Sequence, residues 1–124
     1  MTELTARECG GVTVIEVDGR LDALAAPLLD EALRQAMAEA RVRLLLDFGR
    51  VTYISSSCLR VLILSARQSR ERGGDLKLCC LSDHVRRIFA LAGFDLVFEL
   101  WESLDQALEA FVWPGGATEP CAGD

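Results

Sequence analysis

The sequence has little positive charge and few residues typical of catalytic centres. Among its 124 residues, 13 are Lys or Arg and 19 are Asp or Glu, so the formal net charge is −6, and there is a single histidine. A nucleic-acid interface needs a basic stripe that displaces counterions from phosphates, and anchoring to an anionic membrane needs a basic cluster. The composition therefore predicts no direct contact with nucleic acid or with a membrane.

Long apolar runs are also missing. The apolar tracts of this chain are interrupted within a few positions by polar or charged residues, whereas a membrane-spanning helix needs about 20 apolar residues. The first ten residues contain Glu3, Arg7 and Glu8 instead of the apolar core of a signal peptide. We therefore expect a cytoplasmic protein.

Motifs of common catalytic and metal sites are absent as well. The chain has no GxxxxGK[ST] or GxGxxG phosphate loop, and no GxSxG motif surrounds Ser56, which a hydrolase would have to pair with His84 on a different helix. The five cysteines are scattered without a CxxC spacing, and Cys79 and Cys80, as neighbours in a strand, should point to opposite faces. The sequence predicts no enzyme, no cofactor and no metal site, and we expect reduced thiols.

What the sequence does contain is a regular alternation of strand and helix patterns. Val12–Val17 alternates apolar and polar residues and can pair with Leu4–Cys9 across Gly10-Gly11 as a hairpin. The elements predicted after it are a helix over Ala23–Ala40, a strand over Val42–Phe48, a helix over Ser57–Arg72, a strand over Leu76–Leu81, a helix ending at Leu91, a strand over Leu96–Leu100 and a helix from Ser103 to Trp113.

This order, β-β-α-β-α-β-α-β-α, predicts one α/β domain over residues 1–113. A mixed sheet of about four to five strands, with about four helices packed on it, accommodates the elements, and the strand–helix–strand units favour parallel pairing in the second half. Residues 114–124, PGGATEPCAGD, are polar and rich in glycine and proline, and we expect a flexible tail.

The most distinctive segment is Asp47–Leu62, DFGRVTYISSSCLRVL. A strand is predicted to end at Asp47, and after a turn three serines, Ser55–Ser57, lead into an apolar-faced helix. Hydroxyls at this place can cap the unpaired N–H groups of the first helical turn. The same N–H groups and the helix dipole also favour a phosphate. From the residues alone, the serines can be a cap, a phosphoacceptor site, or both.

The helix after the serines also predicts a contact surface. Val61 and Leu64 should point away from the helix face that packs on the sheet, and apolar residues beside a switch serine are candidates for partner binding, unless another element covers them. Asp22, in the first strand-to-helix loop, is expected near the serines, although its position also suits a helix N-cap. The predicted sheet-facing residues are Leu59, Leu62, Ile63 and Ala66.

Three stretches of the chain resemble STAS domains of the anti-sigma factor antagonist type. They are VTVIEVDGRLDALAAPLLDEAL (Val12–Leu33), LLLDFGRVTYISSSCLRVLILSAR (Leu44–Arg67) and GGDLKLCCLSDHVRRIFALAGFDLVFELWESLDQAL (Gly73–Leu108). The resemblance implies the STAS fold and a regulatory binding protein. Its unphosphorylated form would sequester an anti-sigma factor, often a serine kinase, and so release a sigma factor. Phosphorylation of a serine at the start of the second helix would end the binding, and a phosphatase would restore it.

The family pattern at that serine reads Asp-Ser-Ser-Gly-Leu or Ser-Ser-Ala-Gly-Leu and aligns with Ser55–Leu59. The resemblance therefore assigns the phosphoacceptor to Ser56, with Ser57 as the next candidate. Together with the helix geometry, it predicts a partner-binding surface of Asp22, Ser55, Ser57, Cys58, Val61 and Leu64.

Two positions depart from the family pattern. Ser55 stands where many members carry Asp. Cys58 replaces the glycine and is expected to place a side chain beside the phosphoacceptor, where a partner would approach closely. A thiol at a helix N-terminus can also serve as a redox handle, because this position lowers its pKa. A second hypothesis keeps the STAS fold but makes the protein a constitutive scaffold, as in stressosome-like assemblies or transport complexes, without a phosphorylation switch.

Overall fold

The chain begins with a tight β-hairpin. In the computed structural model, which describes residues 2–111, strands β1 (Glu3–Cys9) and β2 (Val12–Leu21) pair antiparallel. The two residues between them, Gly10 and Gly11, have φ angles of 58° and 85°. A two-residue turn of type I′ needs positive φ at both positions, which residues with a Cβ atom resist. The predicted hairpin is confirmed.

Helices and strands alternate after the hairpin. The elements are α1 (Ala26–Ala38), β3 (Arg43–Ile54), α2 (Ser56–Glu71), β4 (Asp75–Cys79), α3 (Asp83–Leu91), β5 (Leu100–Trp101) and α4 (Leu104–Glu109), with short 3₁₀ turns at Ala23–Ala25 and Phe94–Leu96. The strand order is β1-β2-β3-β4-β5, and the pairs from β2 onward are parallel, each joined by a helical crossover. The structure confirms the predicted mixed sheet with helices packed on it.

The two faces of the sheet are covered unequally. Successive strand residues point to opposite faces, so Leu44 and Leu46 of β3 pack into a large core with α1, α2 and α3. Leu45 packs into a smaller cluster with α4. All three leucines are fully buried, as expected for an apolar run in a strand that is covered on both sides.

The predicted end of β3 is wrong, and the correction matters for the site. The pattern ends this strand at Phe48 and places a turn after Asp47, but β3 continues to Ile54. Strand β2 also continues, to Leu21, and Leu21 lies opposite Ile54 in the parallel register. The partner strand, rather than the local sequence around Gly49, therefore decides the length of β3.

Other boundaries differ by a few residues. The predicted strand over Leu96–Leu100 is a 3₁₀ turn followed by β5, and the last helix ends at Glu109 instead of Trp113. The predicted domain boundary at residue 113 and the predicted tail lie outside the described residues. Across residues 2–111, no helix is both long enough and apolar enough to cross a membrane.

The cysteines are not all alike. Cys58, Cys79 and Cys80 are free thiols, as the sequence predicts. The prediction is wrong for Cys9, which is disulfide-bonded. The expectation of reduced thiols depended on the number and spacing of cysteines, which do not determine which of them form a disulfide.

Gly74 marks a close approach of two backbones at the start of β4. Its N–H donates to the carbonyl of Ser69 at 2.8 Å, and the next N–H, that of Asp75, donates to the carbonyl of Val42 at 3.0 Å. A Cβ atom at position 74 would overlap the Val42 carbonyl group. This position therefore has no room for a side chain.

We expect Gly74→Ala to lower the free energy of unfolding by about 3 kcal/mol or more, because backbone atoms have to move. Gly73→Ala is the matched control. Its Cβ would meet no atom within 4 Å, and only its φ of +86° is unfavourable, which costs about 1 kcal/mol. Chemical denaturation measures both values, and equal losses in the two variants would contradict this packing argument.

Candidate functional site

Strands β2 and β3 end side by side, and the residues that follow them form the candidate site. The N–H of Ser55 donates to the carbonyl of Leu21 at 2.7 Å, so the backbone pairing continues past the strand ends. Asp22 follows Leu21, which brings the first strand-to-helix loop into contact with the start of α2. Asp22 thus lies near the serines, and its part in partner binding stays a prediction.

Ser55 is the N-cap of α2. Its backbone is extended, its side chain is almost fully buried, and its Oγ accepts a hydrogen bond from the N–H of Cys58 at 3.3 Å. The carbonyl of the same residue accepts from the N–H of Leu59 at 3.0 Å. A cap of this kind satisfies one of the N–H groups that have no partner inside the helix. Among the three serines, capping therefore belongs to Ser55.

Ser56 and Ser57 are exposed in the first turn of α2. Their hydroxyls are thus accessible to a modifying enzyme without unfolding of the helix. A phosphate at this place would meet the positive end of the helix dipole and the N–H groups of the first turn. Capping and exposure thus belong to different serines, because the capping hydroxyl of Ser55 is buried and its two neighbours are exposed.

Cys58 points into the core instead of toward an approaching partner. Its side chain is fully buried, and its Sγ donates to the backbone carbonyl of Asp22 at 3.4 Å. Two residues along a helix correspond to a rotation of about 200°, so Cys58 lies on the side opposite Ser56. The expectation that this side chain stands beside the phosphoacceptor is wrong, and the thiol instead links α2 to the loop after β2.

The environment of Cys58 also disfavours a redox role. Burial raises the pKa of the Cys58 thiol above its ordinary value, and hydrogen bonds with Ser55 lower it only in part, while the charge of Asp22 raises it further. The thiolate is the reactive form of cysteine. The expected lowering of the pKa by the helix N-terminus is therefore outweighed by burial.

An apolar depression extends from Ser56 along the outer side of α2. Leu64 is 50% exposed, whereas Val61 is half-buried and packs against the core. The depression, called the α2–α3 groove below, has a volume of about 410 Å³ and is lined by Ser56, Leu59, Arg60, Ile63, Leu64, Ala92 and Phe94. Sequence reasoning missed Ala92 and Phe94, because these residues come from the end of α3 and the turn after it.

Known proteins match this chain over most of its length. The family described as the STAS domain matches residues 3–107. The protein BtrV of Bordetella bronchiseptica, provisionally named an anti-sigma factor antagonist, is 36% identical over 109 residues, which cover 88% of this chain and 94% of BtrV.

Solved structures show the same fold. The crystal structure of an anti-sigma factor antagonist from Mycobacterium paratuberculosis is 27% identical, has a TM-score of 0.82 and covers 90% of this chain and 94% of its own. The antagonist SpoIIAA in its unphosphorylated form has a TM-score of 0.66 at 17% identity and covers 86% of this chain and 92% of its own. The phosphorylated form of Bacillus SpoIIAA has a TM-score of 0.67 at 18% identity and covers 85% of this chain and 96% of its own chain. At these identities, the likeness to SpoIIAA concerns the fold.

The separation of roles among the serines predicts different stabilities for their alanine variants. We expect Ser55→Ala to lower the free energy of unfolding by about 1 kcal/mol, because the cap of α2 is lost. Ser56→Ala and Ser57→Ala should each change it by less than about 0.5 kcal/mol, since both side chains are exposed. Urea denaturation of the three variants measures these values. A loss in Ser56→Ala as large as that in Ser55→Ala would show that the capping role is assigned to the wrong serine.

Proposed function

Because this chain belongs to the STAS domain family and, within it, to the anti-sigma factor antagonists, we propose that it binds an anti-sigma factor of the serine-kinase type and that phosphorylation of Ser56 ends this binding. The unphosphorylated form sequesters the anti-sigma factor and thereby releases a sigma factor. A phosphatase restores the binding form, and all of these partners act in the cytoplasm. The observation that carries the proposal is an exposed Ser56 directly after a buried, capping Ser55.

The charge of a phosphate explains how one modification could end the binding. A phosphoserine carries about −1.5 to −2 charges at neutral pH. At Ser56 this charge would lie at the rim of the α2–α3 groove, among residues that are largely apolar. The lining contains one positive group, Arg60, whose single charge does not neutralise a phosphate of about −1.5 to −2 charges. A partner packed on the groove would have to remove water from the remaining negative charge, which is costly. The first turn of α2 itself tolerates the charge, so the contact is lost while the fold remains.

The groove also favours Ser56 over Ser57 as the phosphoacceptor. Both serines are exposed, but Ser56 lines the groove and Ser57 does not. Modification of Ser56 therefore changes the charge of the surface that contains Leu64. Ser57 stays the next candidate.

Phosphopeptide mapping of the protein isolated from its own host, with and without stress, tests the switch. We expect a single phosphate on Ser56 whose occupancy changes between the two conditions. Absence of phosphate from Ser55–Ser57 in both conditions would contradict the switch. Unchanged partner binding after replacement of all three serines by alanine would then favour the constitutive scaffold.

We expect Ser56→Asp to weaken binding of the host's kinase-type anti-sigma factor by at least about tenfold, because a charge replaces a neutral hydroxyl at the groove. Ser56→Ala should bind as the wild type does. Ser57→Asp is the matched control, with the same charge one residue away from the groove, and it should bind more tightly than Ser56→Asp. Isothermal titration calorimetry measures the three affinities. Wild-type affinity in Ser56→Asp would show that the switch is not at this residue.

The groove itself predicts a partner contact at Leu64. We expect Leu64→Glu to weaken binding of the same anti-sigma factor by at least about tenfold, because a charge then occupies an apolar contact. Leu28→Glu is the matched control, since Leu28 on α1 is 53% exposed, close to the 50% of Leu64, but does not line the groove. Both variants should unfold at the same denaturant concentration as the wild type. Equal binding losses in the two would indicate that the α2–α3 groove is not the specific contact.

A further inference from the structure

Three potential metal ligands converge on the face of the sheet that α4 covers, opposite α2. Asp47 of β3 and Cys79 of β4 lie directly opposite each other in the parallel register, and Cys80 follows β4. A carboxylate oxygen of Asp47 and the two sulfur atoms all lie within 4.8 Å of one another. Asp47 and Cys80 are partly exposed and Cys79 is fully buried. This group, called the Asp-Cys-Cys cluster below, is separate from the serines.

Cys80 joins the cluster because of an unusual backbone conformation. Its φ angle is 66°, in the left-handed region that residues with a Cβ atom rarely adopt. The side chain therefore does not alternate to the other face as it would in a continued strand, and Cys80 packs against the same apolar cluster as Cys79. The prediction that the two cysteines point to opposite faces is wrong for this reason.

We propose that Asp47, Cys79 and Cys80 bind a thiophilic divalent cation of the zinc class, with a fourth coordination position left for water or another small ligand. Thiolates and carboxylates are ligands of such ions. Sulfur ligands at about 2.3 Å from a tetrahedral ion lie about 3.8 Å apart. The two sulfur atoms, which lie within 4.8 Å of each other, therefore need to approach by about 1 Å or less, and the Asp47 oxygen by up to about 1.3 Å. On binding, both thiols release their protons to solvent and the cation takes their place.

Gly49 leaves space through which an ion from solvent could reach these ligands. Its N–H donates to Oδ1 of Asp47 at 2.9 Å, which orients the carboxylate. A Cβ atom at position 49 would lie 3.2 Å from the same oxygen and 3.6 Å from Cβ of Cys80. Gly49 is itself exposed. The absence of a side chain at this exposed position thus leaves space beside the two partly exposed ligands.

Trp101 provides a second observation beside the cluster. It lies opposite Cys79 in the register of β4 and β5, and its indole N–H is buried with no hydrogen-bond partner in the described part of the chain. A buried donor without an acceptor is destabilising. A water or anion in the fourth coordination position would supply an acceptor in this region.

Titration of the full-length, reduced, metal-free protein with Cd²⁺ tests the proposal. Charge-transfer absorption between thiolate and cadmium reports ligation by sulfur, and native mass spectrometry gives the stoichiometry. We expect one Cd²⁺ per chain at this site, displaced by Zn²⁺. Asp47→Asn and Cys80→Ser should each weaken binding by at least about tenfold, and Cys79→Ser should do the same. Cys58→Ser is the matched control, because it removes a buried free thiol from the other face, and it should bind as the wild type does.

Three results would overturn the proposal. They are no binding of Cd²⁺ to the wild type, affinities within about twofold of the wild type in Asp47→Asn and Cys80→Ser, and a disulfide between Cys79 and Cys80 that persists under reducing agent. Peptide mapping has to locate that disulfide, because Cys9 is itself disulfide-bonded and also lowers the intact mass. Asp47 and Cys80 are the decisive positions, since both are partly exposed and their variants are expected to fold. Far-UV circular dichroism and the denaturation midpoint verify that each variant is folded.

Discussion

The parallel pairing of β2 with β3 is the constraint on which the candidate site depends. The two strands end together at Leu21 and Ile54, and the hydrogen bond from the N–H of Ser55 to the carbonyl of Leu21 extends the pairing into the loops. A shift of one residue would turn each buried side chain of a strand to the other face. Because the fully buried leucines of β3 belong to two separate clusters, such a shift is strongly disfavoured. The start of α2 is therefore fixed against the loop that contains Asp22.

Local sequence patterns were sufficient for the element order and for the start of α2. Three patterns each indicate a structure that forms within a few residues. They are the glycines at positions 10 and 11, where the turn needs positive φ angles, the apolar run at Leu44–Leu46, and the serines before an apolar-faced helix. Such features depend on turn geometry, on burial of a strand and on capping, and all three have clear residue preferences. The family resemblance extended the same prediction to nearly the whole domain.

The features that the sequence did not predict depend on residues distant in the chain or on a single dihedral angle. The second half of β3 exists because β2 lies beside it, and the α2–α3 groove needs Ala92 and Phe94 opposite α2. Cys58 points inward because it lies one helical turn before Leu62, and both pack into the core that α2 forms with distant parts of the chain. The convergence of Cys79 and Cys80 results from one positive φ angle, which a strand pattern does not report.

Under the proposed switch, the division of capping and exposure between adjacent serines determines whether the two forms of the protein survive equally long in a cell. Degradation of a folded protein commonly follows the small fraction that is unfolded, and this fraction is set by the free energy of unfolding. The cap of α2 is a hydrogen bond between the N–H of Cys58 and Oγ of Ser55, and it does not involve the hydroxyl of Ser56. Modified and unmodified chains should therefore be degraded at similar rates. Under the proposed switch, the cell would change the active fraction of this protein while its total amount stays constant, and a modified copy would return to use without new synthesis.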